Sequence, residues 1–255
     1  MIKYFKMHFK SSIEYKVSFI LTMISQLFNI IASVFVLCSL FNKFGVLKDF
    51  SLNECLLACS VIDLGYYLAE FFLRGFDYFY KLIKKGNFDL LLVRPENIYI
   101  QILGSELEVT KISRLIASIG VLIYAVIKTN IDLTLLKTII LLFSILGSFI
   151  TFASLLIIGA GISFYTIEGL EIVNIFTAGS RELGEYPMGI YNKKIILLFT
   201  FLIPLACVNY YPILFILGRV DNILYAITPL FTLVIALFAI LFFNISLKHY
   251  QSSGS

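Results

Sequence analysis

No stretch of this chain offers a phosphate-binding loop of the form G-x-x-x-x-G-K-[ST]. The nearest glycine-rich stretch, Gly159 to Phe164, reads GAGISF, lacks the lysine and lies in an apolar run. The chain therefore cannot hold and hydrolyse ATP by itself. Histidine is almost missing: His8 and His249 stand near opposite ends and make no metal-ligand pattern. The cysteines Cys38, Cys55, Cys59 and Cys207 show no C-x-x-C spacing, and Cys55 and Cys59, four apart, read as small apolar residues on one helix face. No serine sits in a nucleophile elbow. These shortages remove the usual catalytic constellations. No metal, no cofactor and no nucleic-acid partner is expected.

Charge is the other shortage. Only 14% of the residues are charged and 60% are hydrophobic, against about 25% and 45–50% in a soluble domain. Too little polar surface is left to face water, so the chain reads as an integral membrane protein, all-α by the length of its apolar runs.

Residues 1–16 carry Lys3, Lys6, Lys10 and Lys16 spread along the segment, with no small-residue cleavage site after them, which excludes a cleavable signal peptide. At helical spacing Ile2, Phe5, Phe9 and Ile13 share a face flanked by Lys3, Lys6 and Lys10, the pattern of an interfacial helix whose lysines reach toward headgroups. A disordered basic tail is the alternative. Residues 17–255 read as a single six-span domain. Val17 to Phe41, Leu52 to Leu73, Ile112 to Ile127, Leu133 to Ile167, Ile195 to Leu217 and Leu224 to Phe243 are the expected spans. The fourth is long enough to bend at Gly147 or Gly159, or to fold back as a hairpin and give seven. Glu168 to Lys194 is mixed in character and reads as an interfacial helix plus loop. With the amino terminus inside, Lys and Arg divide fifteen to five in favour of the inside connections, so both termini are expected in the cytoplasm.

The long polar connection 74–111 holds the most distinctive stretch, Lys84 to Pro95, KKGNFDLLLVRP. Gly86 frees the backbone, Asp89 and Arg94 bracket the apolar knob Leu90, Leu91, Leu92 and Val93, and Pro95 ends the element. Apolar side chains on a polar connection need a surface to dock against, either this chain's own bundle or a second protein. The pattern G-x-[FL]-D-x-L-L-x-R-P resembles the signature of a bacterial family of ABC transporter permeases of the type 2 exporter class. Tyr186 to Arg219, with its tyrosine-proline, basic pair, Pro-Leu-Ala and Tyr-Tyr-Pro features, and the ending KHYQSSGS are similar to the same family. The resemblance implies a half-transporter: two six-helix permeases, identical or related, facing each other above a pair of cytoplasmic ATPase subunits. It places Gly86, Asp89, Leu90, Leu91, Arg94 and Pro95 where an ATPase subunit docks, and the chain in a bacterial inner membrane among lipid.

Acids inside an apolar span are costly, about 2.5–3.5 kcal/mol for one at the centre. Asp63 lies near the middle of the second span, and Tyr67 and Glu70 follow on the same helix face. Glu70 has Arg74 at i+4 and reads as a rim ion pair or as part of a translocation pathway. Asp63 either holds helices together or attracts a cationic substrate. In the fifth span Pro204 and Pro212 each remove a helix donor, so that span is kinked or dips back as a re-entrant segment; Tyr210 and Tyr211 suit an outer interface. The function expected from all this is export of an amphipathic or hydrophobic substrate by alternating access. A lipid-directed membrane enzyme and a non-transporting assembly factor are the rivals.

Overall fold

The computed structural model describes residues 2–48, 50–132, 134–166, 173–186 and 188–250. Glu168, Glu171, Pro187 and the closing QSSGS lie outside the described residues, as do the side chains of Ile2, Lys3, Phe5 and Ile13 on which the apolar face of the first helix was read. The chain runs through α1 (Ile2–Glu14), α2 (Lys16–Phe44) and α3 (Leu52–Phe72), then the short helices α4 (Arg74–Asp77), α5 (Phe79–Lys84), α6 (Phe88–Leu92) and α7 (Ile98–Ser105). There follow α8 (Ile112–Lys128), α9 (Leu135–Ile162), α10 (Ser180–Gly184, entered through the π-helical turn Ile175–Gly179), α11 (Lys193–Phe201), α12 (Ala206–Asn209), α13 (Tyr211–Ile216), α14 (Ile223–Ile227) and α15 (Thr232–Lys248). Among the described residues five helical stretches are long and apolar enough to cross a membrane: α2, α3, α8, α9 and the run from Ile223 to Lys248. The long apolar run is one helix, α9, not a hairpin.

α3 is the buried centre of the bundle, whereas α2 is largely exposed. Its sequence explains this. Ser51 and Glu54 form a reciprocal capping box at its start, and small residues along its length let neighbours come close. A Cβ on Gly65 would stand 2.1 Å from Ser148 Oγ and 2.6 Å from the Phe149 amide nitrogen, so α3 and α9 meet nearly backbone to backbone. Between helices inside a membrane such close packing substitutes for the hydrophobic drive that water would supply.

The two ends of the bundle are chemically distinct. At one lie α1, the connection α4–α7 and the last described residue: Tyr4 donates to Glu96, His8 Nε2 bonds the Gly104 carbonyl, and Tyr250 donates to Asp89. α1 is therefore braced against α7. At the opposite end Asn53 reaches the Lys128 carbonyl and Arg219 pairs with Glu54 at 2.7 Å.

The fifth crossing is not where the apolar run put it. α11 and the stretch Ala206–Ile216 are bent by 93°, and both margins of this pair lie at the Glu54 end, since Gly189 and Arg219 line one depression with Lys48 and Phe50. The pair is a re-entrant hairpin with Pro204 at its turn. The crossing is instead made by the residues read as an interfacial loop. Val173 sits against Gly159 near the connection end, Gly184 against Ile62 midway, and Gly189 against Phe50 at the far end. Charged Arg181, Glu182 and Glu185 hide this passage from any apolar-window reading. Lys193 and Lys194 consequently move to the far end and Arg181 into the crossing, narrowing the basic bias to twelve against seven without reversing it.

This topology is directly testable. With the four native cysteines replaced by alanine, single cysteines at Lys194 and Asp221 should label with an impermeant maleimide from the same side of the membrane, and one at Asn87 from the other. Labelling of Lys194 from the Asn87 side would overturn the re-entrant hairpin.

Candidate functional site

Two places bring the chemistry-bearing residues together. The first is a charged seam along α3. Asp63, Tyr67 and Glu70 do share one face, and all three are buried. Asp63 Oδ1 accepts from Arg181 Nε at 2.8 Å, and Arg181 also pairs with Glu185 one turn on. Below them Tyr67 lies under two guanidinium groups, those of Arg181 and Arg114, at 5.2 and 5.3 Å from its ring centre. Glu70 is met by Lys111 at 2.9 Å, Arg74 at 3.4 Å and Arg114 at 3.6 Å.

Asp63 is thus not an open carboxylate waiting for a cation. Its partner stands 118 residues away, and α-helical spacing carries no record of such a pairing. The available signal was Arg181 itself: a guanidinium amid apolar crossings must find an anion. Glu70 is the ion pair its i+4 spacing suggested, widened into a hub. Arg74 reaches Glu70 on α3, Asp77 on α4 and Glu108 before α8, the last at 2.9 Å, and donates to Tyr78. Burial alone would lower the Arg74 guanidinium, but Asp77, Glu108 and Glu70 hold it above its ordinary value. Burial likewise lifts the Asp77 carboxyl above the usual carboxylate range despite Arg74 beside it.

Cys59, Asp63 and Glu185 bring ligand atoms within 4.8 Å of one another, a spacing that a metal ion could use. The Arg181 guanidinium, bonded to both carboxylates, already supplies the positive charge there, so the grouping is an ion-pair network with a thiol beside it. A cleft of about 720 Å³ opens onto this seam, lined by Asn29 and Ser33 of α2, Tyr67, Arg114, and Arg181, Glu182 and Glu185 of the fifth crossing. Asn29 and Glu182 are exposed there, and among the described residues neither finds a hydrogen-bond or ion-pair partner.

The second place is α6, the centre of KKGNFDLLLVRP. Gly86 takes φ +66°, a conformation that favours glycine. Phe88 is fully buried among Phe79, Phe164 and Tyr250, with ring centres 5.1, 5.5 and 4.8 Å away. Leu91 also turns inward, and Gln101 donates to its carbonyl and to that of Glu96. The knob read as Leu90 to Val93 is therefore split. Leu91 belongs to the core, because a helical turn cannot present four consecutive side chains on one face. Leu90 is 61% exposed, Leu92 48% and Val93 84%, with Arg94 and Pro95 exposed beside them.

Pro204 and Pro212 fall within the re-entrant hairpin: Pro204 at the turn, Pro212 buried in the first turn of α13. Tyr210 and Tyr211 pack on Phe50 and Tyr225 rather than projecting as free interface anchors. Both histidines bond backbone carbonyls, His8 that of Gly104 on α7 and His249 that of Ile245 one turn back.

Residues 27–254 match the profile of the ABC-2 family transporter proteins. No curated protein and no solved structure matches the chain.

Breaking the seam on one side should cost more than removing the pair. Arg181→Gln leaves Asp63 and Glu185 buried without their cation, a loss of about 3–5 kcal/mol, read as reduced melting temperature in mild detergent. Adding Asp63→Asn should recover at least about 1 kcal/mol of it. Strictly additive losses in the double variant would exclude direct coupling.

Proposed function

Because the chain belongs to the ABC-2 transporter family, and is the permease component of an ABC transporter, we propose that it exports an amphipathic or hydrophobic substrate from the bacterial cytoplasm. Membership implies partnership with an ATPase component. In the proposed assembly a pair of ATPase subunits sits under α4–α7 and a second permease, identical or related, faces the charged cleft. Both termini are then cytoplasmic and the re-entrant hairpin external.

The observation that carries this reading is the outward apolar triad Leu90, Leu92 and Val93 at the connection end. It stands on a short helix whose other face is locked into the core, the form expected of a docking element rather than of a lipid contact. Movement imposed there has a route into the membrane. A Cβ on Gly75 would fall 1.7 Å from the Ile102 carbonyl oxygen, so α4 and α7 are in backbone contact, and Arg74 fastens α4 to α3 and to the entry of α8. The cleft supports the translocation role. Asn29 and Glu182 are polar groups at the depth of the spans, costly against lipid, and suited to water, substrate or a second permease. Alternating access would then consist of opening and closing this cleft as the ATPase subunits move α6. The rival reading as a lipid-directed enzyme has no support from the histidines, which are bonded to the backbone carbonyls of Gly104 and Ile245.

The test is a comparison of neighbours on α6. Leu90→Asp combined with Val93→Asp should leave the melting temperature of the permease intact while weakening capture of the co-purifying ATPase by roughly ten- to a hundredfold, the scale of losing one buried aliphatic contact. Leu91→Asp should instead destabilise the permease itself. Undiminished capture and substrate-stimulated ATP hydrolysis in the Leu90/Val93 variant would sink the docking assignment.

A further inference from the structure

Tyr250, two residues beyond α15, joins the last crossing directly to the docking helix. Its hydroxyl donates to Asp89 Oδ1 at 2.9 Å across 161 positions of sequence, and its ring stands edge-on to Phe88 at 4.8 Å and to Phe164 at 5.8 Å. α6 needs such an anchor. It has five residues and no side-chain cap at its start, far below the length at which a helix holds itself in water. Phe88 and Leu91 fix its depth, but apolar contacts tolerate rotation and sliding. A hydrogen bond to one carboxylate oxygen defines an angle as well as a distance. Asp89 is adjacent to Leu90, and one turn of helix separates it from Val93. Fixing the Asp89 side chain therefore fixes the direction in which the outward triad points.

At its other end Tyr250 follows α15, whose Phe243 ring packs on Phe76, Phe79, Tyr99 and Phe164 of the same aromatic cluster. α15 in turn lies along α9. We infer that Tyr250 is a positioning residue for energy coupling: through Asp89 it holds α6 in the orientation that engages the ATPase subunit and ties α6 to the movement of α15. This rests on the reading of α6 as the docking element. The second route from α6 into the bundle, through α7, α4 and Arg74, ends on α3, so the two crossings receive the motion through different side chains.

The experiment uses the complex purified in mild detergent with its co-purifying ATPase, reconstituted in liposomes. Tyr250→Phe removes only the hydroxyl and keeps the ring in the cluster. The expected result is normal melting temperature and normal KM for ATP, but stimulated ATP turnover reduced roughly tenfold and backbone amide exchange across 88–93 accelerated by a similar factor, the scale of one hydrogen bond to a charged acceptor. Asp89→Leu should reproduce the loss, and the double variant should be no worse than Asp89→Leu alone. Wild-type turnover or unchanged exchange in Tyr250→Phe overturns the inference. If Leu90→Asp with Val93→Asp uncouples while Tyr250→Phe does not, the docking reading stands and the Tyr250 role falls. If neither uncouples, both fall.

Discussion

A charge placed among apolar helices must be neutralised by the chain that carries it, and this requirement organises the bundle. α3 brings Asp63 and Glu70 into its interior, and everything that packs on that face supplies a cation: Arg181 from the fifth crossing, Lys111 and Arg114 from the start of α8, Arg74 from the turn below. Desolvation makes each member costly alone and the set mutually dependent. The pairing with Arg181 also explains how a segment as polar as 173–189 can traverse the bundle. Its charges face α3 and the cleft, while apolar Val173 and Phe176 face α9 and the re-entrant hairpin.

The same dependence connects the crossings to the connection α4–α7. Arg74 holds three acids from three successive parts of the chain, so α3 cannot tilt without moving the connection, and the connection cannot move without disturbing the seam. The aromatic cluster of Phe76, Phe79, Phe88, Phe164, Phe243 and Tyr250 supplies a second, apolar link at the same end. Cluster and hub together make α4–α7 a stiff plate under the crossings rather than a flexible loop, the property a coupling element requires.

The proline-broken stretch shows how composition can mislead about path. Ile195 to Leu217 is apolar enough to cross, yet it turns back, because Pro204 ends one helix and the residues after it bury against α3, α9 and α14 instead of continuing. Its freed backbone groups are accommodated inside the protein, where a bent segment is tolerated. The charged stretch before it crosses because its partners were waiting in the bundle. Apolarity is a property of the segment; crossing is a property of what surrounds it.

From the sequence alone came the membrane character, four of the crossings in their places and α15 within the last, the shared face of Asp63, Tyr67 and Glu70, and the singular character of KKGNFDLLLVRP. All of these rest on composition or on periodicity over a few turns, which the chain carries locally. The tertiary structure decided that Arg181 answers Asp63, that Leu91 turns inward while Leu90 and Val93 turn out, that the fifth crossing lies upstream of the prolines, and that Tyr250 meets Asp89. Each of these is a contact between residues far apart in sequence, or a choice between two faces of one turn. Such contacts are set by which helices lie side by side and how closely Gly65 and Gly75 let them approach, and no local pattern encodes that.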